Sequence, residues 1–555
     1  EGRDAWPGLR QPTKALALVA AGRGAYLCAH AAAVLLNVNL PSAEMIDWRE
    51  GAALPPGRPR TLPDLFAAAR RDAGGATLIV DGVRSAGWEQ LERWSTNLAG
   101  ALAGALAPGE RLAILAPNGL PHLVAEMAAW RLGAIAAPIF TGCGPARLKT
   151  MIDLAAPSVA LVADPAHATA MPPGCRVIDV AALWRLADGD ARANDRAVGP
   201  DTACLLLFTS GSTGAPRAVE LTHDNLASQQ AAFAALWPEV GPGDRLAAYL
   251  PWHHSFGALA ERLWALVRGA TLTVVPGGGR DRAALIDTVR AVAPTVFMSV
   301  PKAHRVVIEA DAFAPGALRW AFTAGAPLDA DLLAWYDARR IPLYEGWGLT
   351  ETSPSATITP PGTRRVLGVV GQPIPGVAVG VRRDDGRIFV RGPNVMRGYF
   401  RDAPATALCL AGGTMDSGDL GAWTPEGLKL AGRADHLVKL PNGEKVALSE
   451  IEAALARHAA VRHAVVGIDD GALIALIEAA PGHDLGALAR ALAEVNDAQA
   501  LHYCRVGAGF AVAEPLSVEG GGLTPSLKVA RGAVLSAFRA WRRHGGAAFV
   551  DLTTR

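Results

Sequence analysis

The sequence predicts an α/β protein, with a large N-terminal domain of doubly wound, mostly parallel sheets followed by a smaller α+β domain. Three observations carry this. The chain has 555 residues, more than one compact core holds, so two or more domains are expected. Short continuous apolar runs alternate with helical stretches, the pattern of parallel strands covered on both faces. Strands are expected at Arg111 to Ala116, Ile135 to Phe140, Val159 to Val162, Leu246 to Leu250, Leu272 to Val275, Val296 to Val300 and Trp320 to Thr323. Helices are expected near Pro121 to Leu132, Leu259 to Val267 and Arg282 to Val292. After Gly432-Arg433-Ala434-Asp435 the pattern changes. Roughly 120 residues remain, ordinary domain size, with strand candidates at Ala464 to Ile468 and Leu473 to Ile477. There, Ser449 and Glu452 read as a Ser-x-x-Glu capping box opening a helix. The Pro/Gly-rich stretch Leu54 to Arg60 reads as an earlier break. The expected division is an extension of unknown role over 1–55, a large domain over 56–432 and a small one over 433–555.

Composition narrows the function. The 53 basic and 52 acidic residues leave a net charge of +1, so no basic field exists to hold nucleic acid. Half the residues are hydrophobic and 19% charged, which suits a globular enzyme rather than a disordered chain. Cys28, Cys143, Cys175, Cys204, Cys409 and Cys504 form no Cys-x-x-Cys pair, which favours reduced thiols and a cytoplasmic location over a zinc site or disulfide scaffold. Residues 15–40 are rich in Ala and Leu, but Arg23 and His30 interrupt them. No integral membrane span is expected there, because a central Arg costs roughly 2.5–3.5 kcal/mol on insertion scales.

The most informative segment is Leu207-Phe208-Thr209-Ser210-Gly211-Ser212-Thr213-Gly214-Ala215-Pro216-Arg217. A buried strand, Leu205 to Phe208, empties into a turn of Ser, Thr and Gly. Glycines let a backbone approach a ligand closely, and successive amides form an anion-binding nest. Arg217 adds a permanent positive charge. The common phosphate loop, Gly-x-x-x-x-Gly-Lys-Ser/Thr, is absent from the sequence.

This segment resembles the signature of the adenylate-forming enzymes, which include acyl-CoA synthetases, firefly luciferase and peptide-synthetase adenylation domains. Arg217 stands where that family usually has Lys. The resemblance covers about residues 60–540 and implies that Thr209, Ser210, Gly211, Ser212, Thr213, Gly214 and Arg217 cradle the phosphates of ATP. Further motifs follow in the family's order. Pro251-Trp252-His253-His254-Ser255-Phe256-Gly257 resembles the aromatic-His motif of the acid pocket, implying that His254 and Phe256 approach the carboxylate and the phosphates. Thr323-Ala324-Gly325-Ala326-Pro327 resembles the segment whose Gly325, Ala326 and Pro327 border adenine. In Tyr344-Glu345-Gly346-Trp347-Gly348-Leu349-Thr350-Glu351, Trp347 offers a stacking face where the family has Tyr, and Thr350 a hydroxyl. Glu351 offers a hard oxygen for Mg²⁺ beside phosphates. Gly371 to Gly376 and Val390 to Tyr399 resemble connecting elements, and structural roles are expected for them.

The resemblance further implies that Asp419 and Arg433 bind ribose and that Asp435 is a hinge pivot. Lys439 to Glu444 would form the loop that enters for the thioester step. Lys528, in Gly522-Leu523-Thr524-Pro525-Ser526-Leu527-Lys528, would bridge the substrate carboxylate and the α-phosphate. The small domain would be a mobile lid. Together these imply an AMP-forming acyl-CoA synthetase using ATP, Mg²⁺ and coenzyme A on a fatty or aromatic carboxylic acid. The alternatives are a free-standing adenylation enzyme that loads a carrier protein, and a non-catalytic acyl- or nucleotide-binding relative.

Overall fold

The computed structural model describes residues 45–555 apart from 83, 193–194, 211–215, 280, 441–443, 525–527 and 553–555. Residues 15–40 and Gly211 to Gly214 therefore lie outside the described residues. No helix among those described is long and apolar enough to cross a membrane.

Two parallel-cored sheets dominate. The seven-stranded sheet runs Gly398–Tyr399, Pro216–Thr222, Ala203–Ser210, Ile135–Pro138, Arg111–Leu115, Val159–Val162 and Arg176–Asp179 across its width. Its last five strands are parallel and its first two antiparallel. A five-stranded sheet runs from parallel Val296–Ser299, Trp320–Ala324 and Leu343–Trp347 at one side to two short antiparallel strands at the other. Beside it, a four-stranded sheet holds Arg245–Ala248 and Thr271–Val274. Strands such as Ile135–Pro138, Val159–Val162 and Val296–Ser299 read clearly in the sequence because they are buried along their whole length, which leaves a nearly continuous apolar run. Val159–Val162 and the helix Arg282–Val292 fall where expected. Asp281 caps that helix by accepting from the amides of Ala283 and Ala284.

The sequence leaves 1–55 as an extension of unknown role, and the structure places the end of that stretch in a sheet. Ile46–Glu50 is an edge strand, antiparallel to Ala378–Arg382 in a six-stranded antiparallel sheet. The amide of Gly51 donates to Val377. Its mixed residues, Ile-Asp-Trp-Arg-Glu, hide the strand because only one face meets the core. The expected capping box is corrected. The helix Leu448–Ala456 has Ala447 at its N-cap and no side-chain cap. Glu452 instead accepts from the amide of Val466 and pairs with Arg531.

Beyond Leu440 the buried apolar residues form clusters of their own, around Val461–Asp469, Ala472–Ala479, Ala508–Val512 and Phe549–Asp551. This part seats against the seven-stranded sheet. Val518 packs on the cluster of Ala113, Phe140 and Cys143. The carbonyl of Glu519 closes over Gly144, where a Cβ would come within 3.0 Å.

Candidate active site

The site lies where the strands end, as parallel sheets dictate. Ala203–Ser210 returns as Pro216–Thr222, with Thr209 opposite Arg217 and Ser210 opposite Pro216. These two strands form an antiparallel ribbon that flanks the predicted phosphate turn in sequence. The Arg217 guanidinium lies 5.2 Å from the centroid of the Tyr399 ring, with its Nε 3.9 Å from the Asp402 carboxylate.

Leu343–Trp347 supplies the second wall. Glycines flank Trp347 because space demands it: a Cβ on Gly346 would come 2.6 Å from the Phe322 ring, and one on Gly348 2.1 Å from the Pro354 carbonyl. The strand then enters the short helical turn Thr350–Thr352. Thr350 Oγ1 lies 3.2 Å from Ser255 Oγ, which ties this turn to the His motif. Gly325 follows Trp320–Ala324 with φ +84°, a left-handed conformation that favours glycine. Gly325, Ala326 and Pro327 are exposed at the mouth.

Asp419, on Thr414–Trp423, faces Arg433 across an antiparallel pair. Its Oδ1 accepts from Arg433 at 3.1 Å and its Oδ2 from the Trp347 indole at 2.8 Å. Burial pushes its pKa up, with Arg433 and Trp347 opposing, and the net shift is upward. Arg433 also donates to Asp435 at 3.2 Å. The indole N–H gives Trp347 a second use beyond stacking, one that a phenol at this position would meet differently.

The His motif opens a π-helical segment, Phe256–Leu263, where a regular helix from Leu259 was expected. Such wide turns gather at functional sites. His253 packs on Phe140 with ring centroids 4.8 Å apart, and Phe256 meets Phe322 edge-on at 5.6 Å. Burial, then Lys528, lowers the His254 pKa to about 4, so at neutral pH it is an uncharged imidazole. Beneath the motif, Arg262 lies 4.8 Å from the Trp252 ring centroid and pairs with Glu126, which also meets His122 at 3.4 Å.

Lys528 arrives from the small domain on a loop closed by the Leu523–Val529 bridge. Its amide donates to Thr524 Oγ1 at 3.1 Å. Lys528 is exposed as a whole residue, but burial around its charged end lowers its pKa, with Asp419 opposing and Arg433 lowering it further. Lys528 thus shares one electrostatic neighbourhood with Asp419, Arg433 and His254. Lys439 ends the strand Leu437–Lys439, just past the turn Ala434–His436. Pro441 to Gly443 and Pro525 to Leu527 lie outside the described residues.

One contact escaped the sequence reading. The Tyr399 hydroxyl donates to Glu351 Oε1 at 2.8 Å. The structural role expected for its segment is thereby extended, and only the Gly398-Tyr399 wording marked it. Glu351 has no other side-chain hydrogen bond among the described residues. A carboxylate with a free oxygen, next to the Thr350 hydroxyl, is a hard donor set that fits Mg²⁺ held jointly with phosphates.

The profile of the AMP-binding enzyme family matches residues 65–400. The chain belongs to the AMP-binding enzyme family. It is an AMP-forming, adenylate-forming enzyme of the acyl-CoA synthetase and ligase group. A feruloyl-CoA synthase from Amycolatopsis sp. is 28% identical over 71% of this chain and 83% of its own length. A long-chain-fatty-acid–CoA ligase from Mycobacterium bovis is 26% identical over 64% and 71% respectively. The o-succinylbenzoate coenzyme A synthetase of Bacillus subtilis, solved with ATP and magnesium ion, superposes with a TM-score of 0.73 at 21% identity, covering 84% of this chain and 98% of that one. That last likeness shows the fold.

Proposed function

We propose that this enzyme joins a fatty or aromatic carboxylic acid to AMP and then passes the acyl group to coenzyme A. A carboxylate oxygen attacks the α-phosphorus of ATP, the bond to the β-phosphate oxygen breaks, and pyrophosphate leaves. The thiol of coenzyme A then attacks the acyl carbonyl, and AMP leaves with the oxygen that joined them. The chain's contribution is positioning and charge neutralisation. Thr209 to Gly214 and Arg217 would hold the β- and γ-phosphates, Gly325 to Pro327 and Trp347 the adenine, and Asp419 with Arg433 the ribose. Glu351, with Thr350, would hold Mg²⁺, which when bound neutralises phosphate charge. His254 and Phe256 line the acid side, and neutral His254 adds no charge that would trap the carboxylate.

The observation that carries this reading is the joining of Trp347, Asp419 and Arg433 by hydrogen bonds at the strand ends, a cluster whose charges act on Lys528. A cation there meets the acid's carboxylate and the α-phosphate together. After adenylation, rotation about Asp435 would withdraw Lys528 and present Lys439 and its loop. The division at 432–433 belongs to this proposal, as does a cytoplasmic location, where ATP and coenzyme A are at hand. Relatives acting on ferulate and on long-chain fatty acids support both acid classes.

The test is ATP–pyrophosphate exchange over a panel of fatty and aryl acids. Exchange that depends on one acid class is expected, and no exchange with any acid would sink the proposal. Supplying coenzyme A or a carrier protein to the active acid then separates the two acceptors.

A further inference from the structure

Tyr399 connects two parts of the site that the sequence treats separately. Gly398–Tyr399 is a two-residue strand hydrogen-bonded to Pro216–Thr222, the return limb of the phosphate ribbon, with Tyr399 opposite Val219. The backbone is fixed on both sides of the tyrosine. Its amide donates to Thr406 Oγ1 at 2.8 Å, and Gly398 takes φ +155°, where a Cβ would come 2.9 Å from Thr406 Cγ2. The same segment grips the Glu351 turn through its backbone: the amide of Met396 donates to the Glu351 carbonyl at 2.9 Å. Asn394 donates to the carbonyls of Thr352 and Ser355 at 3.1 and 2.9 Å. From this frame the hydroxyl reaches Glu351 Oε1 at 2.8 Å, while Arg217 lies over the ring.

A tyrosine serving only to fill space would not need a carboxylate on its hydroxyl. Here the hydrogen bond occupies one oxygen of Glu351 and fixes the plane of the carboxylate, leaving the other oxygen for a cation. We infer that Tyr399 is a positioning residue that orients Glu351 toward the metal and couples that carboxylate to the phosphate ribbon. This rests on Glu351 being the metal-holding carboxylate. Partners that hydrogen-bond a metal ligand set its orientation, and losing one costs about 10- to 100-fold in metal affinity or activity. Arg217 adds a consequence for this chain. Packed on the Tyr399 ring, it stands beside the ring that orients Glu351, so ribbon and metal ligand are held by one side chain.

Tyr399→Phe in the full chain tests this, because it keeps the ring under Arg217 and removes only the hydroxyl. A non-hydrolysable ATP analogue is titrated by calorimetry across a Mg²⁺ series, with AMP as the metal-independent control and Glu351→Gln in parallel. The expected result is analogue binding that needs about 10- to 100-fold more Mg²⁺ in Tyr399→Phe, with AMP affinity unchanged. Unchanged Mg²⁺ dependence in Tyr399→Phe, alongside a loss in Glu351→Gln, overturns the inference and leaves the metal reading standing. Equal weakening of analogue and AMP makes the hydroxyl structural and also overturns it. Unchanged Mg²⁺ dependence in Glu351→Gln removes the metal reading itself, and the inference with it.

Discussion

The edge formed by Asp419 and Arg433 and the block beneath the His motif both bury carboxylates, but they treat them differently. At the edge, Asp419 accepts from Trp347 and from Arg433, whose side chain is 41% exposed. In the block, Glu126 and Arg262 are sealed at 0% and 1% exposure against His122 and Trp252. Burial pushes the Glu126 carboxyl up, but Arg262 and His122 together outweigh it and the net shift is downward. Glu261, next in sequence to Arg262, has only the Leu250 amide opposing burial and is pushed well up. On the proposed function, the edge would exchange a protein partner for a ligand hydroxyl. The block has no such freedom, so its charges serve the fold that carries His254.

Breaking the block therefore has the largest expected effect on stability. Arg262→Ala leaves the buried Glu126 with His122 as its one remaining partner among the described residues, at a cost of about 3–5 kcal/mol, read as a lowered thermal midpoint. Arg262→Met, which keeps the volume but not the charge, restores little of this unless Glu126 is made neutral in the same chain. At the edge, Asp419→Asn is expected to leave that midpoint nearly unchanged and to weaken AMP binding, measured by calorimetry. Hydrogen bonds to a charged group are worth about 1.5–3 kcal/mol. If Asp419→Asn lowers stability as much as Arg262→Ala, the two regions do not differ as argued.

A smaller effect comes from pH. Burial lowers the pKa of His223, His254 and His304 to about 4 in the folded chain, below the ordinary histidine value near 6.5. Between these values the unfolded chain binds protons that the folded chain does not, so stability falls as pH drops from about 6.5 toward 4. His304 bonds Tyr336 at 2.7 Å and the Phe322 carbonyl at 3.2 Å. His304→Gln should flatten part of the slope in thermal midpoint against pH. A midpoint that stays level from pH 7 to 4.5 would contradict this.

The same contrast explains what the sequence discloses. Strands such as Val159–Val162 are legible because burial on both faces leaves a purely apolar run. The motif residues are legible because a ligand restricts their types locally. Ile46–Glu50 is hidden because its half-buried residues leave no apolar run. Tyr399–Glu351 and Trp347–Asp419 are hidden for another reason: a hydrogen bond across 48 or 72 residues leaves no periodicity. Ser449 and Glu452 matched a local pattern, but Arg531 and Val466 offered Glu452 stronger partners.

On the proposed mechanism, Lys528 acts in adenylation and is dispensable for thioester formation. Lys528→Ala should lower acid-dependent ATP–pyrophosphate exchange by about 100-fold or more, the scale of losing a preorganised charge at a transition state. Coenzyme A thioester formation from supplied acyl-adenylate should persist near the wild-type rate. Equal loss of both half-reactions, or exchange at the wild-type rate, would contradict it.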